Sequence, residues 1–226
     1  MSAHLAQLAT DWRGEVPAGG LSGELKHDGW RALYFRGIDG VRRIWTRNGM
    51  PLDAAAHLLP RLALMEEAAG QPMMFDGEFV VDDAGAGTLA ATKAWCESGW
   101  RKGDPAGTLH LFDAMPLADW RAGGCDMPQY QRKARLAELF AATEEEDDGW
   151  TWPEGSRGAV SPTAVYVVPD IWCCDAADVL DEARRVWAAG GEGIMLKDPM
   201  APYRRDRNGA WLKVKAANAG KWRMAA

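Results

Sequence analysis

The sequence predicts an α+β fold in which mostly antiparallel sheets are flanked by helices. Strand patterns and helix patterns mix along the chain without the regular strand–helix alternation that produces a parallel sheet. Neither G-x-G-x-x-G nor G-x-x-x-x-G-K-[ST] occurs, which argues against a Rossmann or P-loop domain. The 226 residues suit one large domain or two small ones and can bury a substantial core.

The first half of the chain is predicted to form five strands and one helix. Segments rich in strand-forming residues are separated by turns that contain glycine. The predicted strands are residues 21–27, 31–37, 41–46, 73–81 and 108–114. Asp53 is predicted to cap an Ala/Leu-rich helix that runs to about Ala69, and Pro60 is expected to kink or divide that helix.

The second half is predicted to contain two helices and two strands. The first helix covers residues 129–142, and the second begins at its predicted cap Asp175 and ends at Gly190-Gly191. Their apolar faces consist of Leu136, Leu139 and Phe140 in the first helix, and Val179, Ala183, Val186 and Trp187 in the second. The strands are predicted at residues 193–197 and 210–215.

The composition excludes several classes of protein. No run of about 18 apolar residues is present, which excludes a membrane span, and the N-terminal residues lack the basic and apolar regions of a secretory signal. The four cysteines match neither a zinc-binding pattern nor a secreted disulfide framework. We therefore expect reduced thiols, a cytoplasmic location and no membrane partner.

Charge is distributed unevenly along the chain. The net charge is −6, but one acidic block at residues 144–148 supplies five negative charges. The segment 204–223 has the opposite sign, with only Asp206 opposing its cations. These cations are Arg204, Arg205, Arg207, Lys213, Lys215, Lys221 and Arg223. Such local asymmetry predicts phosphate binding better than the sum over the chain does.

The segment 24–31 suits the attack of an amine on a phosphate. It reads Glu-Leu-Lys-His-Asp-Gly-Trp-Arg and offers a nucleophile in Lys26, an acidic neighbour in Asp28, a close backbone approach at Gly29 and a cationic clamp in Arg31. A lysine in water is protonated and inert, so the site must desolvate Lys26 or surround it with cations. The candidate cations are Arg31, Lys213 and Lys215.

The same segment matches K-x-D-G-x-R, the signature of the covalent nucleotidyltransferases, which include ATP-dependent DNA ligases, RNA ligases and mRNA capping enzymes. Further segments resemble the other motifs of this superfamily in the same order, at residues 46–49, 76–80, 109–115, 192–197 and 211–215. The stretch 192–215 particularly resembles the ligases of short-tailed bacteriophages. The resemblance implies a nucleotidyltransferase (ATP-grasp-like) fold over residues 1–226 and a phage or prophage origin.

The resemblance also implies roles for individual residues. The implied catalytic residues are Lys26, Asp28, Glu192, Lys213 and Lys215. The implied nucleotide-binding residues are Glu24, Leu25, Lys26, Arg31, Arg47, Glu78, Phe112, Ile194, Met195, Lys197, Lys213 and Lys215. Glu192 and Glu78 are the implied ligands of Mg²⁺ or Mn²⁺. The residues expected to contact the DNA backbone are Arg47, Arg204, Arg205 and Arg207.

Several of these roles are specific. Phe112 is expected to stack on adenine, and Met195 or Ile194 to cover its second face. Glu78 is expected to accept hydrogen bonds from ribose hydroxyls, whereas Asp76 is expected to order a turn. Lys197 is expected to touch a phosphate. In the W-x-K-x-K stretch, the period of two puts both lysines on one face of a strand.

The implied reaction has three steps. Lys26 attacks the α-phosphate of ATP to form lysyl-AMP, the AMP passes to the 5′-phosphate of a nick, and a 3′-hydroxyl displaces it. Nicked duplex DNA is the expected partner, and the chain is expected to act as a monomer. Ligases of this type continue into an OB-fold domain, which we expect to be absent because the chain ends eleven residues after Lys215. It is then either an excised catalytic domain or a natural minimal form that needs a separate partner.

Other functions stay open on the sequence. An RNA ligase or a capping-type nucleotidyltransferase shares the lysine chemistry, and covalent labelling with ATP against GTP separates capping from ligation. A nick-binding module without turnover is disfavoured by the intact Lys26 and Glu192. Each motif also has a plain structural reading: Asn48-Gly49 as a turn, Phe112 as a core residue, and the lysines of 211–215 as solvated edge residues.

Overall fold

The computed structural model describes residues 5–82, 88–102, 105–143 and 164–222. Its contacts divide the chain into two compact units. The first comprises Met1–Asp28, Gly123–Gln131 and Val168–Ala226, and the second comprises Gly29–Ala122 and Arg132–Val167. Each unit contains a five-stranded, mostly antiparallel sheet with helices packed on it, so the predicted α+β class is confirmed. The acidic block 144–148 and Arg223 lie outside the described residues.

The strands are β1 (Leu8–Asp11), β2 (Leu21–Leu25), β3 (Trp30–Arg36), β4 (Arg42–Thr46), β5 (Met73–Val80), β6 (Thr108–Pro116), β7 (Gly124–Cys125), β8 (Val165–Val167), β9 (Asp170–Cys173), β10 (Gly193–Lys197), β11 (Tyr203–Arg204) and β12 (Arg207–Lys215). The α-helices are α1 (Leu59–Ala68), α2 (Thr88–Glu97), α3 (Leu117–Arg121), α4 (Gln129–Ala141) and α5 (Ala176–Ala188). Short 3₁₀ helices cover Asp53–Leu58, Gly99–Arg101 and Ala216–Lys221.

The sheet of the first unit has the strand order β1-β12-β10-β2-β9. β1 runs parallel to β12, and the other neighbours are antiparallel. One face of this sheet packs against α5, as the apolar pattern of that helix predicted. The buried residues of this core include Leu21, Ile194, Leu196 and Val214 from the strands and Val179, Ala183 and Val186 from the helix. Because side chains alternate along a strand, the other face is left to the polar residues between them.

The sheet of the second unit has the order β4-β3-β5-β6-β8, with β8 parallel to β6. Its core contains Tyr34, Phe75, Leu109 and Leu111 from the strands, Leu58, Leu62 and Met65 from the segment around α1, and Leu136 and Leu139 from α4. Phe140 packs against this core from a partly buried position. The apolar face predicted for α4 is therefore confirmed.

The helix boundaries confirm two of the predictions and correct a third. Pro60 divides its segment, since a 3₁₀ helix ends at Leu58 and α1 begins with Pro60 in its first turn. Asp175 caps α5 by accepting hydrogen bonds from the backbone of Ala177 and Asp178 at 2.8 and 3.0 Å. Asp53 does not act as a cap. It is the first residue of the 3₁₀ helix, where no side chain makes a capping hydrogen bond.

Gly29 is required by the packing of two backbones. A Cβ at this position would lie 2.2 Å from the carbonyl oxygen of Phe79, so no larger residue fits without moving a strand. The sequence suggested instead that this glycine lets a phosphate approach.

Within the described ranges, no helix is long and apolar enough to cross a membrane.

Candidate active site

Most of the site residues predicted in the first unit lie on the polar face of its sheet. The backbone N–H of Lys26 donates to the Gly193 carbonyl at 2.9 Å, and Gly193 pairs with Lys215 on the next strand. The next row on the same face consists of Glu24, Met195 and Lys213. Since alternate residues of a strand share a face, these two rows point to the same side of the sheet.

Two predicted nucleotide-binding residues lie on the opposite face. Ile194 is 0% exposed and packs in the core with α5, whereas its cross-strand neighbour Leu25 is 42% exposed. Burial excludes Ile194 as a cover for adenine on the lysine face. Of the two apolar residues predicted for that contact, Met195 is the one that shares a face with Lys213.

Lys26 and Lys215 share one carboxylate. The Lys26 ammonium contacts Oε2 of Glu192, and the Lys215 ammonium contacts Oε1. The three side chains are 22%, 35% and 15% exposed, so solvent or a ligand can reach them. Burial raises the pKa of Glu192, but the hydrogen bonds and charges of Lys215 and Lys26 outweigh it and bring the pKa below its ordinary value. The site is thus an ionised carboxylate between two cations, with an excess of one positive charge.

The residues after Lys26 add no positive charge to this cluster at neutral pH. Burial, and then the nearby charge of Lys26, lower the pKa of His27 to about 4. The Lys26 ammonium also lies 3.5 Å from the His27 carbonyl oxygen, which can accept a long hydrogen bond from it. Asp28, the predicted acidic neighbour, is half-buried.

Lys197 and Glu24 form a second pair at the other end of β10. Their charged groups lie 2.6 Å apart, and both side chains are 2% exposed. The Lys197 ammonium also lies 4.5 Å from the centroid of a Trp211 ring. The Lys197 ammonium is buried and already paired with Glu24. It is therefore not accessible for the predicted phosphate contact.

Lys213 lies close to a carboxylate that sequence reasoning missed. Its ammonium is 3.4 Å from Asp11 Oδ1, and the Asn218 side chain donates to the same oxygen at 2.9 Å. Asp11 reaches this position because β1 adds to the sheet edge in parallel with β12. Nothing in the short segment 8–11 distinguished this strand from a loop.

The second unit carries its own group of predicted site residues. Arg31 binds both carboxylate oxygens of Asp76, with Nη2 to Oδ2 at 2.6 Å, and its guanidinium lies 4.6 Å from the Phe112 ring centroid. Asp76 lies inside the continuous strand β5 and is 0% exposed, so its expected role in ordering a turn is wrong. Phe112 is partly exposed, while its neighbour Leu111 is buried in the core. Phe112 is thus less buried than its core neighbour, and its stacking on adenine stays a prediction.

Two aromatic residues in this group were not predicted. Glu78 pairs across the strands with Arg31 on one side and with His110 on the other. His110 pairs in turn with Tyr166, and their rings stack with centroids 5.6 Å apart. His110 lies two residues before Phe112 on the same strand, so the two share a face. This spacing was the signal in the sequence that could have identified His110.

The arginines predicted to contact DNA differ in their surroundings. Arg47 is exposed in the turn after β4, which Gly49 closes with a φ of 80°. Arg204 forms an ion pair with Asp126, and Arg207 donates to the Ala9 carbonyl. Carboxylates from distant parts of the chain therefore offset part of the positive charge counted in the segment 204–223.

The acidic residues suit a magnesium site completed by a ligand. Within the residues that the structure describes, no group of three or more His, Cys, Asp or Glu side chains could hold a metal ion. Glu192 offers a partly exposed carboxylate beside Lys26 and Lys215. This fits Mg²⁺, which commonly binds through one or two carboxylates, phosphates and water. Glu78, the other predicted ligand, belongs to the second unit.

Comparison with known proteins decides the family. Residues 3–215 match the model of the ATP dependent DNA ligase domain. The chain belongs to this family. It is 32% identical over 229 residues to a DNA ligase of Haloferax volcanii, covering 95% of this chain and 34% of that protein. A probable DNA ligase of Kineococcus radiotolerans is 29% identical over 199 residues, which cover 88% of this chain and 34% of that protein.

Solved ligase structures share the fold. The ATP-dependent DNA ligase from bacteriophage T7, in complex with ATP, has a TM-score of 0.70 at 20% identity, covering 93% of this chain and 68% of that one. Mycobacterial DNA ligase D, complexed with ATP and MES, has a TM-score of 0.60 at 21% identity, covering 93% and 60%. Phage ligases are thus one of several types that resemble this ligase domain. The relatives favour neither the RNA ligase nor the capping alternative. The chain spans about a third of the length of the curated relatives named above.

Proposed function

We propose that this ligase domain forms a covalent lysyl-AMP at Lys26 and passes the AMP to nicked duplex DNA. The observation that carries the proposal is the sharing of Glu192 by Lys26 and Lys215 on an accessible sheet face. An amine that must attack an anionic phosphate needs a second cation beside it and a group that orients it. Lys215 and Glu192 supply these two functions.

Lys26 must lose a proton before it attacks the α-phosphate of ATP. Lys215 shares the Glu192 carboxylate with Lys26 and places a second cation where the anionic phosphate would bind. The attack forms the N–P bond of lysyl-AMP and releases pyrophosphate. Lys215 and Lys213, two residues apart on one strand face, are then positioned to bind phosphate oxygens.

Mg²⁺ or Mn²⁺ would be held by Glu192 together with the phosphates and would neutralise part of their charge. This role requires Glu192 to release at least one of its two lysines, and the exposure of the cluster makes that exchange possible.

The proposed nucleoside contacts are assigned to individual residues. Phe112 presents a partly exposed ring for stacking on adenine, and Arg31 steadies that ring from 4.6 Å. Glu78 would accept hydrogen bonds from the ribose. Met195, on the lysine face, remains the candidate for covering the second face of the adenine.

The DNA steps follow from the same chemistry. The AMP of lysyl-AMP is transferred to the 5′-phosphate at a nick, and the 3′-hydroxyl then attacks that phosphate and displaces AMP. Arg47 and the arginines of 204–207 are the proposed contacts to the DNA backbone. We propose that the domain acts as a monomer, with a separate OB-fold or DNA-binding partner as an option.

Measurement of intact mass after incubation with ATP and Mg²⁺ tests the proposal. We expect wild type to gain the mass of one AMP and Lys26→Ala to gain none. Lys93→Ala is the matched control, because Lys93 is an exposed helix lysine with a surface partner, Glu97. An adduct that persists in Lys26→Ala would refute the assignment of the nucleophile. Replacing ATP by GTP in the same assay tests the capping alternative, which requires a GMP adduct.

A further inference from the structure

The segment that carries Glu192 is a tight turn between α5 and β10. After α5 ends, Gly190 donates its backbone N–H to the Trp187 carbonyl and Gly191 donates to the Val186 carbonyl, each at 2.9 Å. Gly190 has a φ of 81°, a conformation that glycine adopts without strain. Glu192 therefore lies directly between a helix end and the first residue of a strand.

One side chain reaches from the helix to the backbone of Glu192. The indole Nε1 of Trp187 donates to the Glu192 carbonyl oxygen at 3.2 Å. On the other side of Glu192, a Cβ on Gly193 would lie 2.1 Å from the Val214 carbonyl oxygen, so β12 approaches the turn too closely for any side chain. The backbone of Glu192 is held from both directions.

The indole of Trp187 is itself held in place by aromatic packing. Its ring is stacked nearly parallel on that of Trp222, with centroids 6.2 Å apart and planes 7° apart. Trp222 also contacts Trp12, at a centroid distance of 5.5 Å, and all three rings pack on the core beneath the sheet. Rotation of the Trp187 ring would disrupt this packing, so its N–H stays aimed at Glu192.

We infer that Trp187 is a positioning residue, which sets the carboxylate of Glu192 against Lys26 and Lys215 through a hydrogen bond to the backbone. It lies behind the sheet and touches none of the reacting groups. The inference rests on the proposed function in one respect, namely that Lys26 is the nucleophile. Active-site groups lose efficiency when they are displaced by a fraction of an ångström, so the backbone bond influences the chemistry as well as stability.

The test uses three matched tryptophan substitutions. Trp187→Phe keeps an aromatic ring against Trp222 but removes the N–H donor. Trp222→Phe is the control for the stack, because the Trp222 Nε1 is buried with no hydrogen-bond partner among the described residues and loses no bond. Trp95→Phe is the control for stability, since it removes an indole bond of the same 3.2 Å length, to the Ala54 carbonyl in the second unit.

The first readout is the single-turnover rate of lysyl-AMP formation as a function of ATP concentration. We expect Trp187→Phe to lower the maximal rate by about three- to tenfold, the effect of one net hydrogen bond, with little change in the ATP concentration that gives half of that rate. Trp222→Phe and Trp95→Phe are expected to stay within about twofold of wild type. Equal rates in Trp187→Phe and Trp95→Phe would overturn the inference.

The second readout separates positioning from folding. Urea unfolding of Trp187→Phe and Trp95→Phe is expected to show similar losses of stability, because each variant loses one indole hydrogen bond of 3.2 Å. A rate that falls only in Trp187→Phe then reports the position of Glu192, whereas an equal fall in both variants would overturn the inference. A wild-type protein that forms no lysyl-AMP would refute the proposed function, whereas a wild-type rate that Trp187→Phe retains would overturn the positioning role alone.

Discussion

The two ends of β10 each hold a lysine–glutamate cluster, and the two differ in exposure. Just before the strand, Glu192 contacts two lysines whose side chains are 22% and 35% exposed. At the last residue of the strand, Lys197 and Glu24 pair at 2.6 Å with both side chains 2% exposed. The same two residue types therefore form an accessible cluster with excess positive charge at one end and a closed neutral pair at the other.

The difference separates a chemical role from a structural one. An exposed ion pair contributes little to stability, and its partners can be exchanged for a phosphate at small cost. A buried pair cannot lose one partner without leaving a charge in a place of low polarity. We therefore expect the Glu192 cluster to bind and transfer the nucleotide, and the Glu24 pair to keep β2 and β10 in register.

The largest expected effect is on stability at the closed end. Glu24→Gln should lower the free energy of unfolding by about 3–5 kcal/mol, because the charge of Lys197 stays buried without its counter-charge. Glu192→Gln, the matched change at the open end, should cost less than about 1 kcal/mol but strongly impair lysyl-AMP formation. Urea unfolding of both variants measures the difference. Similar losses of stability would mean that exposure does not distinguish the two clusters.

Acid should lower the stability of the fold around the Glu192 cluster. His27, the residue after Lys26, is expected to account for part of this pH dependence. Its pKa is about 4 when folded and 6.5 as an ordinary value, so between these pH values the unfolded chain binds a proton that the folded chain does not. Stability is then fully present above about pH 6.5 and falls by roughly 2–3 kcal/mol as the pH drops to about 4.

His27→Gln should remove that part of the pH dependence in unfolding experiments. It should leave the contribution of Glu192, whose lowered pKa gives stability that is present above its ordinary value of 4.5 and is lost as the pH falls further. An unchanged slope between pH 6.5 and 4.5 in His27→Gln would contradict the role of His27.

Nucleotide affinity tests whether Phe112 stacks on the base of ATP. Phe112→Leu should weaken ATP binding by about 1–3 kcal/mol through the loss of stacking, and Phe112→Tyr should nearly preserve it. Calorimetric titration with ATP in a Lys26→Ala background avoids covalent turnover. Equal affinities of the leucine variant and its parent would show that Phe112 does not stack on adenine.

The smallest expected effect concerns the arginines before and at the start of β12. Neutralising Arg204, Arg205 and Arg207 together should weaken binding to nicked duplex and reduce the dependence of log affinity on log salt by roughly one unit for each lost phosphate contact. Lysyl-AMP formation should be largely unaffected. The control is the loss of three exposed helix arginines, Arg135, Arg184 and Arg185. If both triple variants keep the wild-type slope, the DNA surface lies elsewhere, for instance around Arg42, Arg43 and Arg47.

Local patterns in the sequence determined a large part of this ligase domain. The cap at Asp175, the apolar faces of α4 and α5, the division of a helix at Pro60 and the strands around the motifs all depend on neighbouring residues, and the structure confirms them. The alternation in β12 likewise gave Lys213 and Lys215 a common face. Such features follow from backbone sterics and period, which act over a few residues.

The tertiary structure decided which charges meet and which of them stay exposed. Lys26 and Glu192 are 166 residues apart, and the partners of Lys213 and Arg204 come from segments that no motif marked. The short strand β1 forms only by pairing with β12, and the fate of Lys197 depends on burial beside Glu24. Pairing between distant strands and the desolvation of charge are properties of the assembled sheet, so residue types and their spacing alone do not contain them.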